Sequence, residues 1–211
     1  MAILGIRNLI VGDHFFSFLK SNLFIGSFPV IVLAFILDIY DKKLKPFWFW
    51  AITLVWVLFY PNAPYMISDL IHNAADPIGG GGKQLVIFDT LIIYSIAMLS
   101  VFYGFLSLKI MFRVFEERYS KNFANWAISI NLLLSSLGFY MGRELLSAIK
   151  LGNGYMYSWE IFLEPVKIIK TVWHALWPIN EHWHAYLMII LFWLIQYFLL
   201  HIFKLVGNVR T

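Results

Sequence analysis

Stretches of about twenty mostly apolar residues recur along this chain, with most charges confined to the gaps between them. Each is long enough to cross the roughly 30 Å hydrocarbon core of a bilayer as a helix. Such a pattern leaves few alternatives. Of 211 residues 61% are hydrophobic and only 13% charged, and the mean hydropathy is +0.74. With 20 Phe, 11 Tyr and 9 Trp beside so few charges, a water-soluble fold would keep a sticky exterior, so lipid must be the solvent for most of the chain.

Five spans follow from the runs: 23–39, 47–71, 85–108, 123–141 and 185–203. The second is interrupted by Pro61-Asn62-Ala63-Pro64, so it is expected to be broken or sharply kinked at 61–64. Residues 1–20 carry Arg7, Asp13, His14 and Lys20 among short apolar runs and suit the bilayer surface. They lack the pattern of a removable signal peptide, so the chain is expected to keep its N-terminus. The charged segment 112–121 reads as a helical junction between spans three and four. Between spans four and five, 158–178 is neither a span nor a polar loop. After Pro165, Lys167, Lys170, Thr171 and His174 share one helical face and Val166, Ile169, Val172, Trp173 and Leu176 the other, which predicts an interfacial amphipathic helix or a re-entrant sixth segment. The expected fold is all-α: a polytopic transmembrane helix bundle of five or six spans, residues 1–211 forming a single membrane domain.

Orientation follows from the basic residues of the short loops. Lys42, Lys43 and Lys45, then Lys109, Arg113, Arg118 and Lys121, then Lys204 and Arg210 fall on one side, against Arg7, Lys20 and Lys83 on the other. The positive-inside rule places the richer side in the cytoplasm, with the N-terminus outside and the C-terminus cytoplasmic. The formal charge of +4 is scattered and forms no basic stripe with interleaved aromatics, so lipid headgroups are the expected anionic partner and nucleic acid is not. The absence of Cys removes disulfides, thiolate metal sites and Cys nucleophiles.

The residues most able to carry chemistry surround the proline pair. Two missing N–H groups leave carbonyls to be satisfied at membrane depth, a place where a polar ligand could meet backbone. Asn62 and Tyr65 sit at the break. Asp69 and His72, three apart, share a helical face and could hold one divalent cation or a proton; the plainer reading is that they mark the wet end of the span. Asp89 lies in the first turns of span three, either facing the bundle interior with a partner such as His72 or Arg143, or serving as an acid at a helix start. Glu160 and Glu164 read as an acidic helix start, and His182 and His184 as interface anchors rather than a zinc pair. No His-Glu-x-x-His run, Gly-x-Ser-x-Gly elbow or phosphate loop is present.

Taken together, Asn22-Leu23-Phe24 with Pro29, the run from Phe59 to His72, Phe88-Asp89, Gly138-Phe139-Tyr140-Met141-Gly142-Arg143 and Ser158-Trp159-Glu160 resemble the bacterial integral membrane family termed Domain of Unknown Function 1361. The likeness spans most of the chain. Where the family usually has a second Arg and an Asn-Ser-Trp-Asp run, this chain has Glu144-Leu145-Leu146 and a longer insertion ending in Tyr157-Ser158-Trp159-Glu160. The resemblance implies a multi-span protein of the bacterial cytoplasmic membrane and supplies no reaction. The leading expectation is a pocket near the outer face, formed by Asn62, Tyr65, Asp69, His72, Asp89, Arg143 and Glu160, that binds a small polar ligand or cation for transport or sensing. The rivals are a metal-dependent hydrolase or transferase using Asp69 and His72, and an accessory subunit packing on a membrane-protein partner or a second copy.

Overall fold

The computed structural model describes residues 17–69, 83–141, 170, 173, 176, 177 and 183–202. Among them the regular elements are all helical. Helices α1 (Ser17–Tyr40), α2 (Pro46–Phe59), α3 (Asn62–Tyr65), α4 (Lys83–Arg118), α5 (Lys121–Tyr140) and α6 (Trp183–Ile202) are joined in part by 3-10 turns at Asp41–Lys43 and Met66–Asp69. Three stretches are long and apolar enough to cross a membrane: Pro46–Ser68, Ile87–Arg118 and Trp183–Ile202. A shorter apolar stretch, Ser27–Tyr40, lies in α1.

Local sequence explains the ends. Pro46 occupies the first turn of α2, where its missing N–H has no intrahelical partner to lose and its fixed φ suits a helix start. Ser120 caps α5, its hydroxyl accepting from the Phe123 N–H at 3.2 Å. Helix α4 runs to Arg118, well past the expected end of span three. The charges at its end, Lys109, Arg113, Glu116 and Glu117, are exposed, while Ile110, Met111, Phe112, Val114 and Phe115 stay buried. Charged side chains on one face do not stop a helix whose other face is still covered.

The chain divides into two compact units, Met1–Ile128 with Lys204–Thr211, and Ser129–Phe203. In the first, the register of α4 against its neighbours fixes their directions. Ser27 meets Ser100 through a 2.6 Å hydroxyl pair, and Asp38 accepts from Arg113, so α1 runs parallel to α4. Phe49 meets Phe115, Trp56 donates to Ser107 at 3.4 Å, and Ala63 abuts Gly104, so α2 and α3 run antiparallel to it. The α1–α2 turn and the end of α4 therefore lie at the same end of this unit. Buried Phe49, Thr53, Trp56 and Tyr60, spaced four, three and four apart, form the packed stripe of the second segment.

In the second unit the later turns of α5 pack antiparallel on α6. Residues Leu132, Ser135 and Ser136 meet Gln196, and Tyr140 packs with Ala185 and Ile189. Phe139 stacks on Phe192 with ring centroids 4.1 Å apart. Tyr186 donates its hydroxyl to the Leu176 carbonyl, and the Trp177 N–H donates to the Trp173 carbonyl at 2.9 Å.

Candidate functional site

The proline pair interrupts the second segment as expected, but the backbone stays helical across it, with one displaced bond remade by the backbone and one by the Asn62 side chain. Tyr60 (φ −54°, ψ −41°) and Pro61 (φ −54°, ψ −25°) both stay in the right-handed helical region, so the path tightens rather than opens. Pro61 withholds the N–H that the Val57 carbonyl would receive, and Pro64 the one due to Tyr60. The Ala63 N–H moves to Tyr60, donating at 3.0 Å in a 3-10 bond. That shift takes the Ala63 N–H from the Phe59 carbonyl, which accepts from the side-chain amide of Asn62 at 3.0 Å. Tyr65 N–H resumes the α pattern to Pro61 at 3.1 Å, and the Ser68 hydroxyl donates to the Tyr65 carbonyl at 2.6 Å. The amide nitrogen of Asn62 is thus committed to the backbone.

The repaired segment sits tightly on α4. A Cβ built on Gly104 would lie 2.9 Å from the Ala63 Cβ, so only glycine admits this approach. Ser107, one turn on, donates to the Gly104 carbonyl at 2.8 Å and accepts from the Trp56 indole. Asn62, Ala63 and Pro64 are all buried, and Tyr65 is partly exposed.

Asp89 is also on α4, with only 1% of its surface exposed. Fifteen residues separate it from Gly104, about 22 Å of helix at 1.5 Å per residue. Asn62, which stands beside the Ala63–Gly104 contact, and Asp89 therefore occupy different heights of the first unit. The 3-10 turn Met66–Asp69 continues from the break in the direction of Asp89 and packs on α4, which carries the Asp69 backbone toward that acid. The side chain of Asp69 and all of His72, Arg143 and Glu160 lie outside the described residues, as do Glu164 and His182 and most of 158–178. His184 is exposed beside Trp183. Among the described residues, no three His, Asp or Glu side chains gather as a metal site would require.

Several buried polar groups of the helices were not among the residues singled out from the sequence. Gln196, 2% exposed in the middle of α6, donates to Ser136 Oγ at 2.9 Å and to the Leu132 carbonyl at 3.5 Å, and accepts from Ser135 Oγ at 3.3 Å. The indole of Trp193 donates to the Ser129 carbonyl at 3.3 Å. A single amide inside a twenty-residue apolar run was the available signal, because such a residue seeks a partner on a facing helix. Asn131 is as deeply buried as Asp89, and neither atom of its amide finds a partner among the described residues; the same holds for the Thr53 hydroxyl.

No curated protein and no solved structure matches this chain. A family model does, over residues 21–199, from α1 through most of α6. That match takes in the proline-interrupted segment, Asp89 and the Gln196 contact alike, and by it the chain belongs to the family described as protein of unknown function DUF1361.

Proposed function

We propose that this is a five-span protein of the bacterial cytoplasmic membrane, with its C-terminus in the cytoplasm. The end of the first unit that holds Asp89 faces outward and binds a small polar ligand or cation, for transport or sensing. The observation that carries the site is the burial of an ionisable side chain in the longest apolar helix, where a carboxylate is expensive and is retained when it serves a function.

Depth along α4 supports the placement. Arg113 lies at the basic end; Gly104 is nine residues away, about 14 Å, and Asp89 twenty-four residues away, about 36 Å. Against a hydrocarbon core of roughly 30 Å, the proline repair falls near mid-depth and Asp89 at the far boundary. Asp69 and His72, which follow the proline pair in the same unit, are the groups proposed to join Asp89 there. Asn62 is assigned to holding the helix together. A reporter domain fused to the C-terminus should be active only on the cytoplasmic side, and its activity outside would reverse the orientation. For the site, thermal unfolding of the purified protein is followed across mono- and divalent cations and small anions. A ligand at a hundred times its Kd stabilises by about 2.7 kcal/mol, and Asp89→Asn should abolish that gain. A panel that treats wild type and variant alike would sink the proposed site.

A further inference from the structure

At the basic end of the first unit, the α1–α2 turn and the α4–α5 junction are bound together by an aromatic cluster. Phe49 meets Phe115 and Tyr119 edge to face, with centroids 6.3 Å apart in each pair; Trp50 meets Tyr119 at 5.9 Å and Phe123 at 6.3 Å; Tyr119 lies 4.7 Å from Phe123. The cations around this cluster fall into two classes. Both arginines are used internally: Arg113 is bonded to the Asp38 carboxylate, and Arg118 lies over the Phe49 ring with 4.1 Å to its centroid. Lys42, Lys43, Lys45 and Lys121 are exposed and make no ion pair among the described residues. The acids of this end are Asp38, bonded to Arg113, Asp41, next to Lys42 in the α1–α2 turn, and Glu116 and Glu117, which share the exposed face of α4 that carries Lys109 and Arg113. Lys45 stands one turn before Phe49, whose N–H donates to its carbonyl, and Lys121 two residues before Phe123. Exposed Phe47, Trp48 and Trp50 supply amphipathic or apolar surface beside these lysines.

We infer that this end is a docking surface for the headgroups of anionic phospholipids, with Lys42, Lys43, Lys45 and Lys121 as the phosphate-binding cations. The arginines instead hold the helix ends in place. The inference rests on the membrane reading above and adds a lipid preference to it. Charge complementarity selects the occupant: compact, unpaired ammonium groups next to rings that favour the headgroup level match an acidic lipid and give a zwitterionic one little extra.

The test is titration of the detergent-purified full chain with phosphatidylglycerol and with phosphatidylcholine, followed by thermal unfolding and by lipid retention in native mass spectrometry. Each lysine near an anionic surface is worth about five-fold in affinity, so wild type should prefer the anionic lipid at least about ten-fold. The variant carrying K42Q, K43Q, K45Q and K121Q should lose that preference while binding phosphatidylcholine as before. If it does not fold, K45Q and K121Q singly should each reduce the preference about five-fold. R113Q should lower the unfolding temperature with either lipid and keep the preference. Equal binding of the two lipids by wild type, a preference that survives the lysine changes, or stabilisation by inorganic phosphate as large as that by phosphatidylglycerol would overturn the inference. Recovery of the untreated protein from the aqueous fraction of cells would overturn the membrane reading itself; a membrane-embedded chain without lipid preference would overturn only this one.

Discussion

The contact between Ala63 and Gly104 makes the repaired proline segment open to a direct test. In Gly104→Ala the new methyl carbon would stand 2.9 Å from the Ala63 Cβ. Carbon atoms prefer separations of about 3.5–4.0 Å, so one helix must move by roughly 0.6–1.1 Å or the contact stays compressed. Neither partner is the flexible tip of a long side chain. The Tyr60 ring, 3.8 Å from the same point, is already at an ordinary distance and has no need to shift. Overpacking of this kind costs about 1–3 kcal/mol. Alanine is also the better helix former, by about 0.5–1 kcal/mol, so the net loss expected for Gly104→Ala is about 0–2.5 kcal/mol.

The opposing propensity term makes the coupling informative, because a glycine-to-alanine change inside an unobstructed helix stabilises and only an obstruction cancels or reverses that gain. Ala63→Gly alone should cost about 1 kcal/mol through backbone freedom. Combined with Gly104→Ala it removes the clash, so the double variant should be more stable than the sum of the single effects by about 1–3 kcal/mol. Reversible denaturation of the purified protein in mixed micelles measures all four corners of the cycle. A Gly104→Ala protein at least as stable as wild type, with additive effects in the double variant, would show that the segment does not approach α4 as described.

Three further outcomes follow from named bonds, read by the same denaturation assay. Gln196→Ala removes contacts to Ser135, Ser136 and the Leu132 carbonyl. Interhelical bonds of this kind average about 0.6 kcal/mol in membrane helices, so a total loss of about 1–2 kcal/mol is expected, and none would mean that α5 and α6 do not meet there. Arg113→Gln breaks the pair with Asp38; the arginine is 52% exposed, so about 0.2–1 kcal/mol is expected, shrinking at high salt, and a salt-independent loss would point to packing instead. Asn62→Leu and Asn131→Leu make the same chemical change with opposite expected signs. The first removes the amide from which the part-buried Phe59 carbonyl accepts and should cost about 0.5–1.5 kcal/mol, whereas the second removes a buried amide with no partner among the described residues and should be neutral or stabilising by about 1–3 kcal/mol. Equal losses in both would refute the distinction.

The helices were legible because long apolar runs admit little else. Lys121–Tyr140 and Trp183–Ile202 fall within about two residues of the spans read from sequence. Helix was legible over 112–118, as part of a junction, but its continuity with span three in one helix was not, for a physical reason. Lys109 and Arg113 marked the point where solvent polarity changes, but a helix ends where its backbone loses partners, and that happens only after Arg118. At 61–64 the prolines announced lost donors. They did not announce that Ala63 would shift its bond by one residue and Asn62 would satisfy the carbonyl left behind, because that outcome depends on a local rearrangement which spacing does not encode. Gly104 stood as one glycine in an apolar run, and its meaning appears only when Ala63 is opposite.

The same accounting decides which polar residues remain able to meet a ligand. The Asn62 amide nitrogen is occupied by the Phe59 carbonyl, Ser68 by the Tyr65 carbonyl, Ser107 by Gly104 and Trp56, and Gln196 by α5. Ser27 and Ser100 bond each other across α1 and α4. Recruiting any of these to a ligand would first break a bond that holds a helix or a helix pair together, and under the proposed membrane placement water is not at hand to replace the withdrawn partner. Asp89 differs in kind. A carboxylate has up to four acceptor positions, so it can keep a protein partner and still offer an oxygen to an incoming cation. That spare capacity, at the end of α4 remote from the arginines, favours placing a binding site at Asp89 over placing one at the proline pair.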